Sequence, residues 1–396
     1  MFEAFRERDY RRFWFAQFLS NVGSWMQSVA QAWLVYRISH SAFLLGVVAF
    51  ASTAPGIVLM LPGGVLADQL NRRRVVVVSQ CAQALAALFV AVMIFQDAIE
   101  IWHVALAAAV AGTAMSFSAP AWQAMAVDLL DDRSRLPNAV VMNSLQFNLA
   151  RAIGPVLAAI ALSRYGAAWC FVANAVSFIP LIFVLESFRH RKQHGEPGSG
   201  SILTKLIEGF AYVRANRVVT LILAVVVVTN FFGYPVLTLM PLVAARLYGD
   251  DASGLAFLMG MMGAGALVGA LSLSVRIPRR PMRAAAICLA VFSAMLVTVA
   301  LTHSTFVAAI ALTIAGAGIV TCTALCNTSL QQHIPDSMRG RVLAMYAYAF
   351  FAFVPFSNLI AGTIADRYGI AVTLGFLACG LFFIGGTTAL ALRDEP

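Results

Sequence analysis

Charge is what this sequence has least of. Only 11% of its 396 residues are Asp, Glu, Lys or Arg, while 61% are hydrophobic. Soluble globular domains carry about 25% charged residues, so the composition is that of an integral membrane protein. Carboxylates are absent from the middle of every long apolar run: Asp68, Asp128, Glu186 and Asp366 stand at run ends. The signatures of nucleotide and peptide chemistry are absent too. The sequence has no Walker-type glycine loop, no HExxH, no GxSxG and no His/Cys group at metal-ligand spacing. An ATP-driven pump and a membrane enzyme are therefore not expected, nor is a cofactor or a metal. Cys81, Cys170, Cys288, Cys322, Cys326 and Cys379 lie within apolar runs without a CxxC pair and read as small apolar core thiols. The six histidines fall near run ends or in loops. No cleavable signal is visible, because residues 1–12 are charged and the run after them is too long and too polar for a signal segment.

What the chain does have is apolar runs near 13–36, 42–67, 75–95, 101–125, 138–162, 167–185, 218–245, 253–275, 284–302, 305–327, 342–364 and 370–392. About 20 apolar residues span a bilayer as a helix, so the reading is an all-α membrane protein of about twelve transmembrane helices. The formal net charge of +9 would suggest nucleic acid in a soluble protein. Here the basic residues lie between apolar runs, so they read as orientation signals and contacts to anionic lipid headgroups, with no nucleic-acid partner. Of the 27 Lys and Arg, all but Arg37, Arg151, Arg164, Arg246 and Arg367 lie at the termini or in even-numbered hairpins. The positive-inside rule then places both termini in the cytoplasm.

Several runs carry polar stripes at helical spacing. The first has Gln17, Asn21, Ser24, Ser28 and Gln31; the fourth has Thr113, Ser116 and Gln123, with Pro120 to bend it. The fifth has Ser144, Asn148 and Arg151 ahead of Gly154-Pro155. In the seventh, Asn230, Tyr234 and Thr238 cluster beside Pro235, and the tenth has Gly316, Thr323 and Asn327. Such stripes avoid lipid, either by lining a water-filled cavity or by hydrogen bonding between helices. Arg151, well over three turns inside its run, is the one clear mid-membrane charge. It is either a functional group or a structural arginine bonded to carbonyls freed by Pro155 or to amides on neighbouring helices. Gly265 and Gly269 form a GxxxG for close helix packing.

The chain divides near its middle. Residues 189–217 form the longest polar interval, with a linker-like Glu196-Pro197-Gly198-Ser199-Gly200-Ser201 and an amphipathic helix bearing Leu203, Leu206, Ile207 and Phe210. Residues 130–166 echo residues 334–369 in loop, span and closing Tyr-Gly, which fits duplication of a six-span half. The expected domains are an N-terminal six-helix bundle over 1–188, a cytoplasmic linker over 189–217 and a C-terminal six-helix bundle over 218–396. A fainter echo sets Gly64-to-Asp68 against Gly362-to-Asp366 at opposite faces.

Between the second and third runs stands Gly63-Gly64-Val65-Leu66-Ala67-Asp68-Gln69-Leu70-Asn71-Arg72-Arg73-Arg74. Gly64, Asp68, Arg72 and Arg73 match the Gly-x-x-x-Asp hairpin of the major facilitator superfamily, with Gln69 in place of a basic residue and Asn71 in place of glycine. Asn71 suits a left-handed turn position. The resemblance covers essentially the whole chain and is similar in detail to the bacterial efflux branch of enterobactin exporters, macrolide efflux proteins and transmembrane secretion effectors. It is carried by residues 5–14 (FRERDYRRFW) and 23–27 (GSWMQ), by Leu136-Pro137-Asn138-Ala139 with Asn143-Ser144, by residues 151–155 (RAIGP), by Glu208-Gly209-Phe210 through Arg214, and by Arg339-Gly340-Arg341-Val342.

The resemblance implies two pseudo-symmetric bundles of the major facilitator fold in a bacterial inner membrane. It also implies a secondary carrier, monomeric, that exports a small siderophore-, drug- or macrolide-like molecule by alternating access in exchange for protons. Spans one, four, seven and ten line the cavity in such folds. The polar stripes of those four spans together with that of the fifth make the expected cavity residues Gln17, Asn21, Ser24, Ser28, Gln31, Ser116, Gln123, Ser144, Asn148, Arg151, Asn230, Tyr234, Thr323 and Asn327. Gly64, Asp68, Arg72, Arg73 and Asp128 form the expected cytoplasmic gate, with solvated helix ends as the alternative. Arg151 with amide and aromatic neighbours suits an anionic or catechol-like ligand. An importer of the same fold and a non-transporting scaffold or sensor remain open as other classes.

Overall fold

A computed structural model of the chain describes residues 3–69, 71–130, 132–188, 202–249, 252–275, 278–335 and 338–391. It leaves out the side chains at 60–69, 120, 123, 124, 126–128, 133, 137, 202–207, 274, 275, 339, 340, 344, 347, 350, 351, 386 and 388–391. Every regular element among the described residues is helical. The chain separates into two units. The first comprises Met1–His40 and Ala51–Gly198, the second Ser41–Phe50 and Ser199–Pro396.

The first unit holds α1 (Arg8–Ser39), most of α2 (Ala42–Gln69), α3 (Arg72–Phe95), α4 (Ile101–Asp128), α5 (Leu136–Arg164) and α6 (Ala167–Ser187). In it α1 packs on α5 and α6, and α3 packs on α4 and α6. The second unit holds α7 (Ile202–Ala215), α8 (Arg217–Gly233), α9 (Pro235–Thr238), α10 (Met240–Tyr248), α11 (Ala252–Val275) and α12 (Pro281–Leu301). It continues with α13 (Thr305–His333), α14 (Arg339–Phe351), α15 (Val354–Tyr368) and α16 (Ile370–Ala391). Here α8 packs on α14 and α16, and α12 packs on α13 and α16. The same neighbour pairs thus recur in both units, as duplication predicts. Both Tyr-Gly echoes end in the same way: Gly166 and Gly369 take φ of 86° and 82° between successive helices, a backbone that favours glycine.

Among the described residues nine helices are long and apolar enough to cross a bilayer. The other expected spans have visible reasons for missing that measure. α1 carries the polar stripe, the apolar part of α16 is described only over Ile370–Gly385, and the eleventh span is split into α14 and α15. The seventh is split as well, at Tyr234 and Leu239, by Pro235 and Pro241. Proline has no N–H to give the carbonyl four residues back. For Pro235 that carbonyl is Phe231's, and the Ser357 hydroxyl of α15 donates to it instead.

Local sequence accounts for the ends. Asn71 accepts the Arg74 N–H at 3.3 Å as the N-cap of α3, with φ −65° and ψ 106°. The left-handed turn expected of it is therefore wrong; an Asn side chain that caps a helix needs an extended backbone. Residues 2–12, which as a sequence read as a short amphipathic lead lying on the cytoplasmic surface, do not form a separate surface helix over their described part, 3–12. Residues Glu3–Arg6 form a single 3₁₀ turn, α1 starts at Arg8, and Tyr10, Phe13 and Trp14 are buried with Met142, Leu181 and Leu185. The GxxxG of α11 does bring backbones together. A Cβ at Gly265 would collide with the Thr313 carbonyl, and one at Gly269 would lie 2.6 Å from the Ala317 carbonyl.

Candidate functional site

The polar stripe of α1 divides into two parts. Toward its start the stripe is buried at Gln17, half-buried at Asn21 and Ser24, and bonded to neighbouring helices. Gln17 donates to Asn21 at 3.2 Å, Asn21 donates to Gln146 of α5 at 3.5 Å, and Gln146 donates to the Trp14 carbonyl at 2.6 Å. Ser24 reaches Asn174 of α6 at 3.5 Å, and Asn174 donates to Gln27 at 2.7 Å. These amides bond to one another across α1, α5 and α6, which is the interhelical alternative, while Gln17 Oε1 is buried without a hydrogen-bond partner among the described residues. Further along, the stripe opens. Ser28 is exposed and bonds only to the Trp25 carbonyl of its own helix at 2.8 Å, and Gln31 is half-buried.

On α5 the picture is the same. Ser144 is exposed and donates to the Val140 carbonyl at 3.1 Å; Asn148, half-buried, donates to the Ser144 carbonyl at 2.9 Å. One turn on, the Arg151 guanidinium lies 5.5 Å from the centre of the Trp25 ring, within cation–π range. Trp25 in turn meets Phe147 edge-on at 5.8 Å, and Phe147 is 46% exposed. The approach is allowed by Gly154, where any Cβ would strike Trp25. The structure thus joins α1 and α5 through an arginine held on an aromatic pair, flanked by exposed hydroxyls and a half-buried amide.

The remaining predicted residues are more self-contained. Ser116 is buried and donates to the Gly112 carbonyl at 2.8 Å. Its neighbour Thr113 faces α3 across an apolar groove of about 360 Å³ lined also by Val78, Ala82, Val110 and Phe117. Asn230 is buried and bonds its own helix at the Val226 carbonyl, 2.8 Å away, and Tyr234 stands half-buried at the α8–α9 junction. Thr323 bonds the Ile319 carbonyl at 3.0 Å while its own carbonyl accepts the Tyr346 hydroxyl at 3.2 Å. Asn327 accepts from Gln331 at 2.7 Å. The Gln123 side chain lies outside the described residues, as do those of Gly64, Asp68 and Asp128. Of the expected gate, Arg73 pairs with Glu186 of α6 at 2.6 Å and Arg72 is half-buried at the start of α3.

Sequence reasoning passed over Gln146 and Asn174, although a lone amide in an apolar run such as Asn174's was a signal. It also passed over the ion pair of Arg135 with Glu7 at 2.6 Å, which ties the α5 start to the α1 start. Beside it, the hydrogen bonds from Ser134 hold the Asp132 carboxyl below its ordinary range, with Arg135 adding to the effect.

The stretches that resemble efflux carriers prove to be contact partners. Tyr10 donates to the Ala139 carbonyl at 3.0 Å and to Asn143 at 2.9 Å, and Trp14 donates to the Met142 carbonyl at 3.0 Å. A family model for transmembrane secretion effectors, within the major facilitator superfamily, matches residues 1–393. The chain belongs to this family. It is 24% identical over 396 residues to the staphyloferrin A transporter of Staphylococcus aureus, covering 97% of this chain and 98% of that one. It is 26% identical over 387 residues to the multidrug efflux pump Tap of Mycolicibacterium fortuitum, covering 94% and 92%. The fold is also that of the crystallised nucleoside transporter NupG, at 12% identity, with a TM-score of 0.75 over 98% of this chain and 100% of that one. The chain is accordingly a multi-pass membrane transporter of small molecules with the major facilitator fold of about twelve membrane-spanning helices in two pseudo-symmetric bundles, and it is not an enzyme.

Proposed function

We propose that this transporter is an exporter of small anionic or catechol-like molecules, working by alternating access in exchange for protons. In this reading it sits in the bacterial inner membrane with both termini in the cytoplasm, as the distribution of arginines supports. One observation carries the proposal: Ser28 one turn from Trp25 on α1, and Asn148 and Ser144 one and two turns from Arg151 on α5, are exposed or half-exposed part-way along two long helices that Arg151 and Trp25 join. Polar and charged groups at that depth would be costly against lipid, so the α1–α5 face is a water-accessible path for substrate. The guanidinium on Trp25 supplies charge for a carboxylate or catecholate, and Phe147 supplies an apolar surface for a ring. Export as the direction rests on the siderophore and multidrug relatives and on no feature of the site itself.

The test is the accumulation of ethidium and of a catechol siderophore in cells with and without the protein. Lower accumulation of either in expressing cells is the expected result. Higher accumulation would make the protein an importer, and equal accumulation of both probes despite membrane expression would leave the scaffold reading.

A further inference from the structure

Within the first unit α3 packs on α4, yet the seam between the two helices is not closed. Small side chains leave the gap. Ser79 and Ala82 of α3 and Ala109 and Thr113 of α4 line the groove of about 360 Å³, and the larger Val78 and Phe117 bound it. The only polar side chains of that lining are Ser79 and Thr113. Ser79 is 5% exposed, and its one bond outside the helix ladder runs through its carbonyl, which accepts from Gln83 at 3.3 Å. Its hydroxyl has no partner among the described residues. A buried hydroxyl in apolar surroundings favours an occupant that brings an acceptor.

The seam opens outward. Val78 and Leu85 are 67% and 66% exposed on α3, and Leu106 and Val110 are exposed on α4. Both helices are long and apolar enough to cross a bilayer, so these side chains meet hydrocarbon. At its α3 end the groove leads to a cation. Arg74, Val78 and Ala82 follow one another at intervals of four residues and so share a face of α3. Of the arginine triplet, Arg73 is taken up by Glu186 at 2.6 Å and Arg72 is half-buried. Arg74 is exposed and pairs with no carboxylate among the described residues. A guanidinium in the first turn of a spanning helix stands at headgroup level and suits a phosphate. From Arg74 to Ser79 the helix rises about 7.5 Å, at about 1.5 Å per residue. Cation, lone hydroxyl and apolar slot thus follow in the order of phosphate, ester carbonyl and acyl chain.

We propose that the α3–α4 seam is a binding site for one anionic phospholipid, with its phosphate on Arg74, an ester carbonyl accepting from Ser79 and one acyl chain in the groove. The inference rests on the chain's spanning a membrane and not on the direction or coupling of transport.

The test places the full-length protein in phosphatidylcholine nanodiscs with a trace of phosphatidylglycerol that carries a diazirine midway along one acyl chain. After photolysis, peptide mass spectrometry should find the label concentrated on residues 78–82 and 109–117. Unlabelled phosphatidylglycerol should displace it about fivefold better than added phosphatidylcholine, and Arg74→Gln should lower labelling about fivefold, as expected for one basic side chain at headgroup level. Ala82→Phe and, from the other helix, Ala109→Leu should each abolish labelling there by filling the groove, with unchanged elution on size exclusion. Label spread evenly over the lipid-exposed helices, or retained in both filled variants, would overturn the site. Equal displacement by the two lipids, a measurement that needs no variant, would overturn its preference for an anionic headgroup. Displacement by ethidium and not by phosphatidylglycerol would give the groove to cargo instead. An unlabelled groove in a protein that cross-links as a dimer would give it to a second copy of the chain.

Discussion

Arg151 concentrates most of the chemistry the sequence offers at a single position. An arginine there does what lysine cannot, because the flat guanidinium stacks on Trp25 and still presents N–H donors in plane. Arg151→Ala should lower flux of an anionic catechol probe by about tenfold or more, as expected for loss of a charged contact of roughly 1.5–3 kcal/mol. Arg151→Lys should fall between, and circular dichroism should be unchanged in both. Equal flux in all three proteins would remove Arg151 from substrate binding. A different residue-scale effect is expected at Gly265, where the Thr313 carbonyl occupies the space a methyl would need. Gly265→Ala should destabilise the second unit by about 1–3 kcal/mol, read as a lower thermal midpoint in detergent, with no such loss at Gly375, where a Cβ would meet nothing.

At the scale of the element, breaks and caps decide what each helix exposes. Ser357 satisfies the Phe231 carbonyl that Pro235 leaves without a donor. Ser357→Ala should therefore cost about 1–3 kcal/mol, the range for a stranded buried acceptor, while Ser357→Thr, which keeps the hydroxyl, should cost less; thermal unfolding in detergent distinguishes them. Much at this scale was legible from the chain. The apolar runs, the Tyr165-Gly166 and Tyr368-Gly369 corners, and the Gly265/Gly269 contact all follow from local rules of length, left-handed backbone and small-residue packing. What local rules do not carry is the identity of partners. The spacing of Gln17, Asn21, Ser24 and Ser28 shows one stripe, but which of them are consumed by hydrogen bonds depends on Gln146 and Asn174, far off in the chain. Asn71 was legible as an end residue and misread in conformation, since Asn serves both as an N-cap and in left-handed turns. Asp366 was legible as a run-end carboxylate and as a faint echo of Gly64-to-Asp68, but its contact was not, because its partners are Ser41 and the backbone at the start of α2, and a backbone has no sequence signature.

At the scale of the molecule, two units with the same neighbour pairs are what a duplicated six-helix half should give. The polar face of α1 and α5 is what a carrier needs and a scaffold does not. Coupling to protons is the part of the proposed function with the least chemistry at mid-membrane, where the sequence places an arginine and no carboxylate. A guanidinium stays charged, so Arg151 cannot carry the protons of the proposed exchange, and the carboxylates of the sequence stand at run ends. The decisive measurement is the movement of ethidium and a catechol siderophore into everted membrane vesicles, with and without an acid interior. Uptake of at least one probe that requires the protein, follows the imposed gradient and collapses with a protonophore is the predicted result. Vesicles with and without the protein that take up both probes alike, under either condition, would contradict it.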